Sequence, residues 1–157
     1  MRRRASALAL AAALPLVLAG CGSSGGHGSA DAATGGARLS VTGAYIPLPS
    51  MPDMAAGYFV LHNDGDRAAT LTGVTSPDAR SVSMHQSTAS TMVDLPNVQV
   101  PAHGTVTFAR DGRHLMLMGL HPAPKLGARI ELNLRFEGAA PVTVQATVQP
   151  LTYQPGQ

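Results

Sequence analysis

The chain predicts an all-β domain built as an antiparallel sandwich, on three observations. Its apolar or alternating runs are short, and Gly, Pro, Asn and Asp punctuate them at regular intervals. No stretch beyond Gly20 sustains a helical period with caps. Strands are predicted over Leu39–Ile46, Gly57–His62, Ala69–Val74, Ser81–Gln86, Met92–Leu95, Thr105–Arg110, His114–Leu120, Arg129–Phe136 and Val142–Val148. Turn signals lie between them at Asn63-Asp64-Gly65-Asp66, Pro101-Ala102-His103-Gly104 and Asp111-Gly112. The last two strands alternate cleanly. Ile130, Leu132 and Leu134 face away from Arg129, Glu131, Asn133 and Arg135; Val142, Val144, Ala146 and Val148 face away from Thr143, Gln145 and Thr147. One face of each is core and the other solvent. Residues 38–150 form the predicted domain, long enough for a core of its own.

The N-terminus reads as a targeting segment. Arg2, Arg3 and Arg4 precede an apolar stretch from Ala5 to about Leu18, too short and small-sided for a membrane span. It ends in Leu18-Ala19-Gly20-Cys21, which resembles a bacterial lipobox. The resemblance implies a signal peptide over residues 1–20, a lipidated Cys21 as the first mature residue, and an extracytoplasmic domain tethered to the cell membrane. That membrane face would be the periplasm or the outer side of the plasma membrane. Gly22-Ser23-Ser24-Gly25-Gly26-His27-Gly28-Ser29 opens a flexible tether over residues 21–37. His27 is expected to be a solvated linker residue. Residues 151–157 are expected to form a short disordered tail.

Composition then excludes several chemistries. Cys21 is the only cysteine, so the mature domain has no disulfide, thiol nucleophile, Cys-ligated zinc, iron–sulfur cluster or blue-copper thiolate. Eleven Lys and Arg stand against nine Asp and Glu. Three of those arginines leave with the leader, so eight face nine and the mature charge is −1 with His neutral. No basic cluster survives, and nucleic acid is not an expected partner. No nucleophile-elbow motif or cofactor fingerprint occurs, and the chain reads as a non-enzyme.

The remaining chemistry is soft. His85, Met92, His114 and Met116 supply imidazole and thioether donors, the set that suits monovalent copper. In Ser81–Gln86, Val82 and Met84 share the core face, which sends His85 to the other face beside Ser81 and Ser83. A turn at Thr88-Ala89 would set His85 directly opposite Met92, within reach of one ion. In His114-Leu115-Met116-Leu117-Met118, the leucines share one face while His114, Met116 and Met118 share the other. A Met stripe is usually packing, but Leu115 and Leu117 already supply a core face. Met118 is expected to wall the site rather than ligate. Met51 and Met54 either lip the site or cover core. His62, His103 and His121 are expected at the surface.

These residues resemble the periplasmic copper chaperones of the PCuAC type. The recurring motif of that family is His, ten residues, Met, twenty-one residues, His-x-Met. Here twenty-one residues separate Met92 from His114-Leu115-Met116, while six rather than ten separate His85 from Met92. Asp111-Gly112-Arg113-His114-Leu115-Met116, Gly57-Tyr58-Phe59-Val60-Leu61-His62-Asn63 and Leu132-Asn133-Leu134-Arg135-Phe136-Glu137 resemble its framework. The resemblance implies a cupredoxin-like or immunoglobulin-like Greek-key sandwich. It also implies one Cu(I) per chain on His85, Met92, His114 and Met116. The expected role is delivery by a monomer to cytochrome c oxidase subunit II, at its CuA site, or to another copper-accepting oxidase protein. Copper storage or detoxification, and a metal-free envelope scaffold, are the alternative readings.

Overall fold

The computed structural model describes residues 35–155, so the expected signal peptide, most of the expected tether, Cys21 and His27 lie outside the described residues. The described residues form ten strands and no helix: β1 (Leu39–Pro47), β2 (Met54–Asn63), β3 (Ala69–Thr75), β4 (Ser81–Ser87), β5 (Met92–Asp94), β6 (Val98–Val100), β7 (Gly104–Phe108), β8 (Arg113–Met118), β9 (Arg129–Glu137) and β10 (Val142–Gln149). All nine predicted strands are present. The missed one, β6, is too short to show a period; its Val98 and Val100 are buried with exposed Gln99 between them. It pairs with β3 at the sheet edge.

One continuous sheet runs in the order β5-β4-β8-β7-β2-β1-β10-β9-β3-β6, with β8 also pairing β2. It curls until β3 packs against β4, and the concave side closes over the core. The all-β fold expected from the sequence is present, and most pairings are antiparallel, but the sheet is mixed. β1 runs parallel to β10, with Tyr45 opposite Thr147 and Ile46 opposite Val148, and β7 meets β8 through one parallel pair, Phe108 and Arg113. Alternation reports which face a residue takes, not the direction of its neighbour strand, so the sequence pattern is blind to this difference.

The core is aliphatic around a stacked phenylalanine pair, with a second aromatic pair, Tyr45 and Tyr58, also buried. Phe59 and Phe108 stack with centroids 4.4 Å apart, on neighbouring strands and directly opposite in register. Ile46, Leu61, Leu71, Leu115, Leu117, Leu132 and Leu134 are fully enclosed around them. Met84 belongs to this core, as its strand face predicts. Two residues of the segment after β10 make contacts with the domain. Tyr153 packs edge-on against Tyr45 at 4.9 Å, and Arg110 Nη2 donates to the Leu151 carbonyl at 2.7 Å. A seven-residue segment without periodicity gives no sequence sign of such docking.

Gly119 ends β8 with φ +67°, and a Cβ there would lie 2.8 Å from Arg80 Cβ. Arg80 N–H donates to the Met118 carbonyl at 2.9 Å at this closure. Gly119→Ala adds left-handed backbone strain of roughly 1–2 kcal/mol to that clash. Urea denaturation is expected to show a loss of about 2 kcal/mol or more.

Candidate metal centre

β8 lies between β4 and β2, and its pairings write the candidate site as rows across the sheet. In one row His114 on β8 faces His85 on β4, which in turn faces Asp94 on β5. In the next, Met116 sits between Ser83 on β4 and Ala56 on β2. Residues paired across strands point to the same side, so all these side chains share the face opposite the core. The two imidazoles lie nearly parallel, 16° between planes, with centroids 5.6 Å apart.

Each ring is held through a definite nitrogen. His114 Nδ1 lies 3.2 Å from the Gly112 carbonyl. A carbonyl only accepts, so Nδ1 carries the proton and Nε2 of the neutral ring keeps its lone pair. Gly112 is placed by the turn at Asp111, which takes φ +61°, a conformation Asp tolerates. The same carbonyl receives Ser87 N–H at 3.0 Å, tying the turn to β4. His85 Nδ1 stands 3.0 Å from Asp94 Oδ1, and its Nε2 is 2.7 Å from Ser83 Oγ. Nδ1–H therefore donates to the carboxylate, and the Ser83 hydroxyl donates to Nε2. Rotation of one hydroxyl frees that nitrogen. A carboxylate behind an imidazole is the arrangement that orients metal-binding histidines and raises their basicity.

The predicted register of His85 opposite Met92 is corrected. Met92 faces Ser87, and Asp94 takes the place opposite His85. The turn spans Thr88–Thr91 rather than centring on Thr88-Ala89, because Thr88 Oγ1 accepts Thr91 N–H at 3.1 Å and Thr88 N–H donates to the Thr91 carbonyl at 2.8 Å. The displacement is an even number of residues, so Met92 keeps the same face as His85, one diagonal step away. Met92 is 55 % exposed, whereas His114 is only 7 % exposed. The face is thus recessed at the imidazoles and open at the Met92 thioether. Asp94 is the residue that sequence reasoning missed; its only signal was alternation with Met92 across a three-residue strand.

Among the described residues no group of three or more His, Cys, Asp or Glu side chains that could hold a metal occurs. A metal on this face would therefore draw on thioethers. Tyr58, farther along β2, is no anionic substitute. Burial pushes its phenol above the ordinary value, against the lowering effect of nearby Arg110. Among the other described histidines, His103 and His121 are exposed and His62 is half-buried. His62 Nε2 contacts Thr42 Oγ1 at 2.9 Å and His103 Nε2 pairs with Asp66 at 3.0 Å, while His121 is exposed.

A curled all-β sheet with paired histidines and a methionine on one face defines a domain of the PCuAC type. The chain belongs to the family described as "Putative lipoprotein LpqE-like", which matches residues 39–148. It is 32% identical over 143 residues to "Putative lipoprotein Lxx21020" of Leifsonia xyli subsp. xyli (strain CTCB07), covering 85% of this chain and 84% of that one. Among solved structures it is similar to the copper-bound PCuAC domain from PmoF2, with TM-score 0.63, 28% identity, and coverage of 73% of this chain and 95% of that one. It is also similar to DR1885 from Deinococcus radiodurans in its Cu(I) form, with TM-score 0.58, 34% identity, and coverage of 70% and 77%.

Proposed function

We propose that this protein is a lipid-anchored extracytoplasmic copper chaperone. It carries one tightly held Cu(I) on His85, Met92, His114 and Met116 and delivers it to a terminal oxidase, at the CuA site of cytochrome c oxidase subunit II. The observation that carries this reading is the His85–His114 pair with Met116 in the adjacent row. Two neutral imidazoles and neighbouring thioethers match the softness and low charge of Cu(I). The copper-bound PmoF2 domain and Cu(I)-DR1885 support the same cargo. The lipoprotein names of the family and of the Leifsonia relative support the anchor at Cys21.

The geometry suits transfer. Met92 is exposed at the rim and flexible, so a Cu(I) leaving the histidines has a thioether outside them to pass through. Neutral ligands without thiolate hold the ion less firmly than a Cys-ligated acceptor would, which sets the direction of delivery. Asp94 keeps the His85 ring in place when the ion has gone.

Competition titration of the reduced protein against a Cu(I) chelator is expected to show one tight ion per chain. Absence of tight binding would end the copper reading. Deleting the protein is expected to lower oxidase activity at low copper, with recovery on added copper. Oxidase activity indifferent to the deletion at low copper would remove the delivery role.

A further inference from the structure

The row beyond Met116 holds thioethers that the proposed site does not use. Met118 on β8 faces Met54 on β2, and Met54 is bridged in turn to Met51 across the Pro52-Asp53 turn. Paired residues point to one side with Cβ atoms about 4.5–5.5 Å apart. Met51, Met54 and Met118 therefore form a continuous line on the ligand face, ending at Ser81 of β4. The line is not core packing. Met51 is 47 % exposed and Met118 is 42 % exposed, while Leu115 and Leu117 fill the interior below. An open cavity of about 250 Å³ is lined by Met51, Met54 and Met116 together with Pro47, Leu48 and Leu151. Met116 is thus shared between this cavity and the His rows.

We infer that Met51, Met54 and Met118 form a second, all-thioether site for a soft monovalent cation, beside the histidine pair and reached through Met116. Three thioethers at neighbouring positions offer soft donors with no charge and no proton to lose, at any ordinary pH. The row contains no carboxylate or imidazole; Asp53 lies in the connecting turn and its carbonyl accepts Leu120 N–H at 3.0 Å. Arg110 also lines the cavity, with its guanidinium on the Leu151 carbonyl and 5.9 Å from the Tyr58 ring centre. A fixed positive charge there weighs more heavily against a divalent ion than a monovalent one. Lacking imidazole, the row should bind more weakly than the histidine site. It would gather the ion and pass it inward through Met116, or receive it on the way out.

The inference does not require the histidine site to bind. Ag(I) is the probe, a redox-stable soft monovalent ion, added to full-length chain carrying ¹³C-methyl methionine. The expected result is two bound Ag(I) per chain, with the Met51, Met54 and Met118 methyl signals moving in the second step. Met51→Leu/Met54→Leu/Met118→Leu is expected to bind one ion and to leave the Met92 and Met116 shifts of the first step in place. His114→Ala/Met116→Leu is expected to keep the shifts of the Met51, Met54 and Met118 signals. If those three signals stay still in the wild-type chain at Ag(I) saturation, or if the triple variant still takes two ions, the inference is overturned. Movement of the three signals without any at Met92 or Met116 would support the row and count against the proposed histidine site instead.

Discussion

Replacing His114 by Ala is expected to lower Cu(I) affinity by more than the ~10–100-fold that losing an outer-shell partner of a metal site typically costs. His114 is the ligand candidate with the least freedom to be substituted by a neighbour. Its ring is buried, its Nδ1 is committed to the Gly112 carbonyl, and its strand runs between β4 and β2. The other imidazole, His85, is held by Asp94 at Nδ1 and Ser83 at Nε2, and once His114 is removed no second imidazole faces it. Removing a buried ring also disturbs packing, so affinity alone would not isolate the donor. Met116→Leu does so. It nearly conserves volume, with a stability change expected below about 1.5 kcal/mol, and removes only the sulfur. Chelator competition on both variants, with thermal melts of the apo forms, is the measurement. Unchanged Cu(I) affinity in Met116→Leu would remove that thioether from the ligand set. Unchanged affinity in His114→Ala would remove the site.

How much of this was legible in the sequence follows from the length of the signal each feature leaves. The faces of β4 and β8 were readable because Val82 with Met84, and Leu115 with Leu117, already meet the need for core, so His85, His114 and Met116 had to turn the other way. Alternation is a property of one strand and survives any error in pairing. Pairing is a property of two strands and of the turn that joins them, which is why the β4–β5 register was not readable. The Thr88–Thr91 turn closes on side-chain hydroxyls, with no Asn-Gly signature to fix its length. A displacement of two exchanged Met92 for Asp94 opposite His85, and so revealed an orienting carboxylate. The parallel β1–β10 pair was hidden for a related reason, since it joins the two ends of the domain and no turn marks it. Met51 and Met54 look like loop residues in sequence; only the β2–β8 register puts them in line with Met118.

Asn63→Ala is expected to be the most damaging single substitution away from the site, with a loss on the order of 4 kcal/mol. In sequence Asn63 is the first residue of a turn signal, and any small polar residue would serve. In the structure it is fully enclosed, and its amide joins three segments of chain. Oδ1 accepts Arg38 N–H at 3.1 Å and Gly65 N–H at 3.0 Å. Nδ2 donates to the Arg67 carbonyl at 2.8 Å and the Pro101 carbonyl at 3.0 Å. No other side chain offers two acceptor sites and two donors on so short a stem. Truncation leaves backbone groups at the start of β1, the β2–β3 turn and the β6–β7 connection without partners where water has little access, and each such group costs roughly 1–3 kcal/mol. Gly65, which accepts no side chain because a Cβ on it would meet the Gly36 carbonyl, packs this turn tightly against the start of β1. Against a total stability of about 5–15 kcal/mol for a domain, the loss should lower Tm by about 15 °C, at ~4 °C per kcal/mol for a domain near 100 residues. Cu(I) affinity measured well below the new Tm should stay at the wild-type value, because no strand of the β4–β8–β5 face takes a hydrogen bond from Asn63. A Tm change of only a few degrees would mean that water or a backbone shift satisfies those groups, and would overturn the role assigned to the amide.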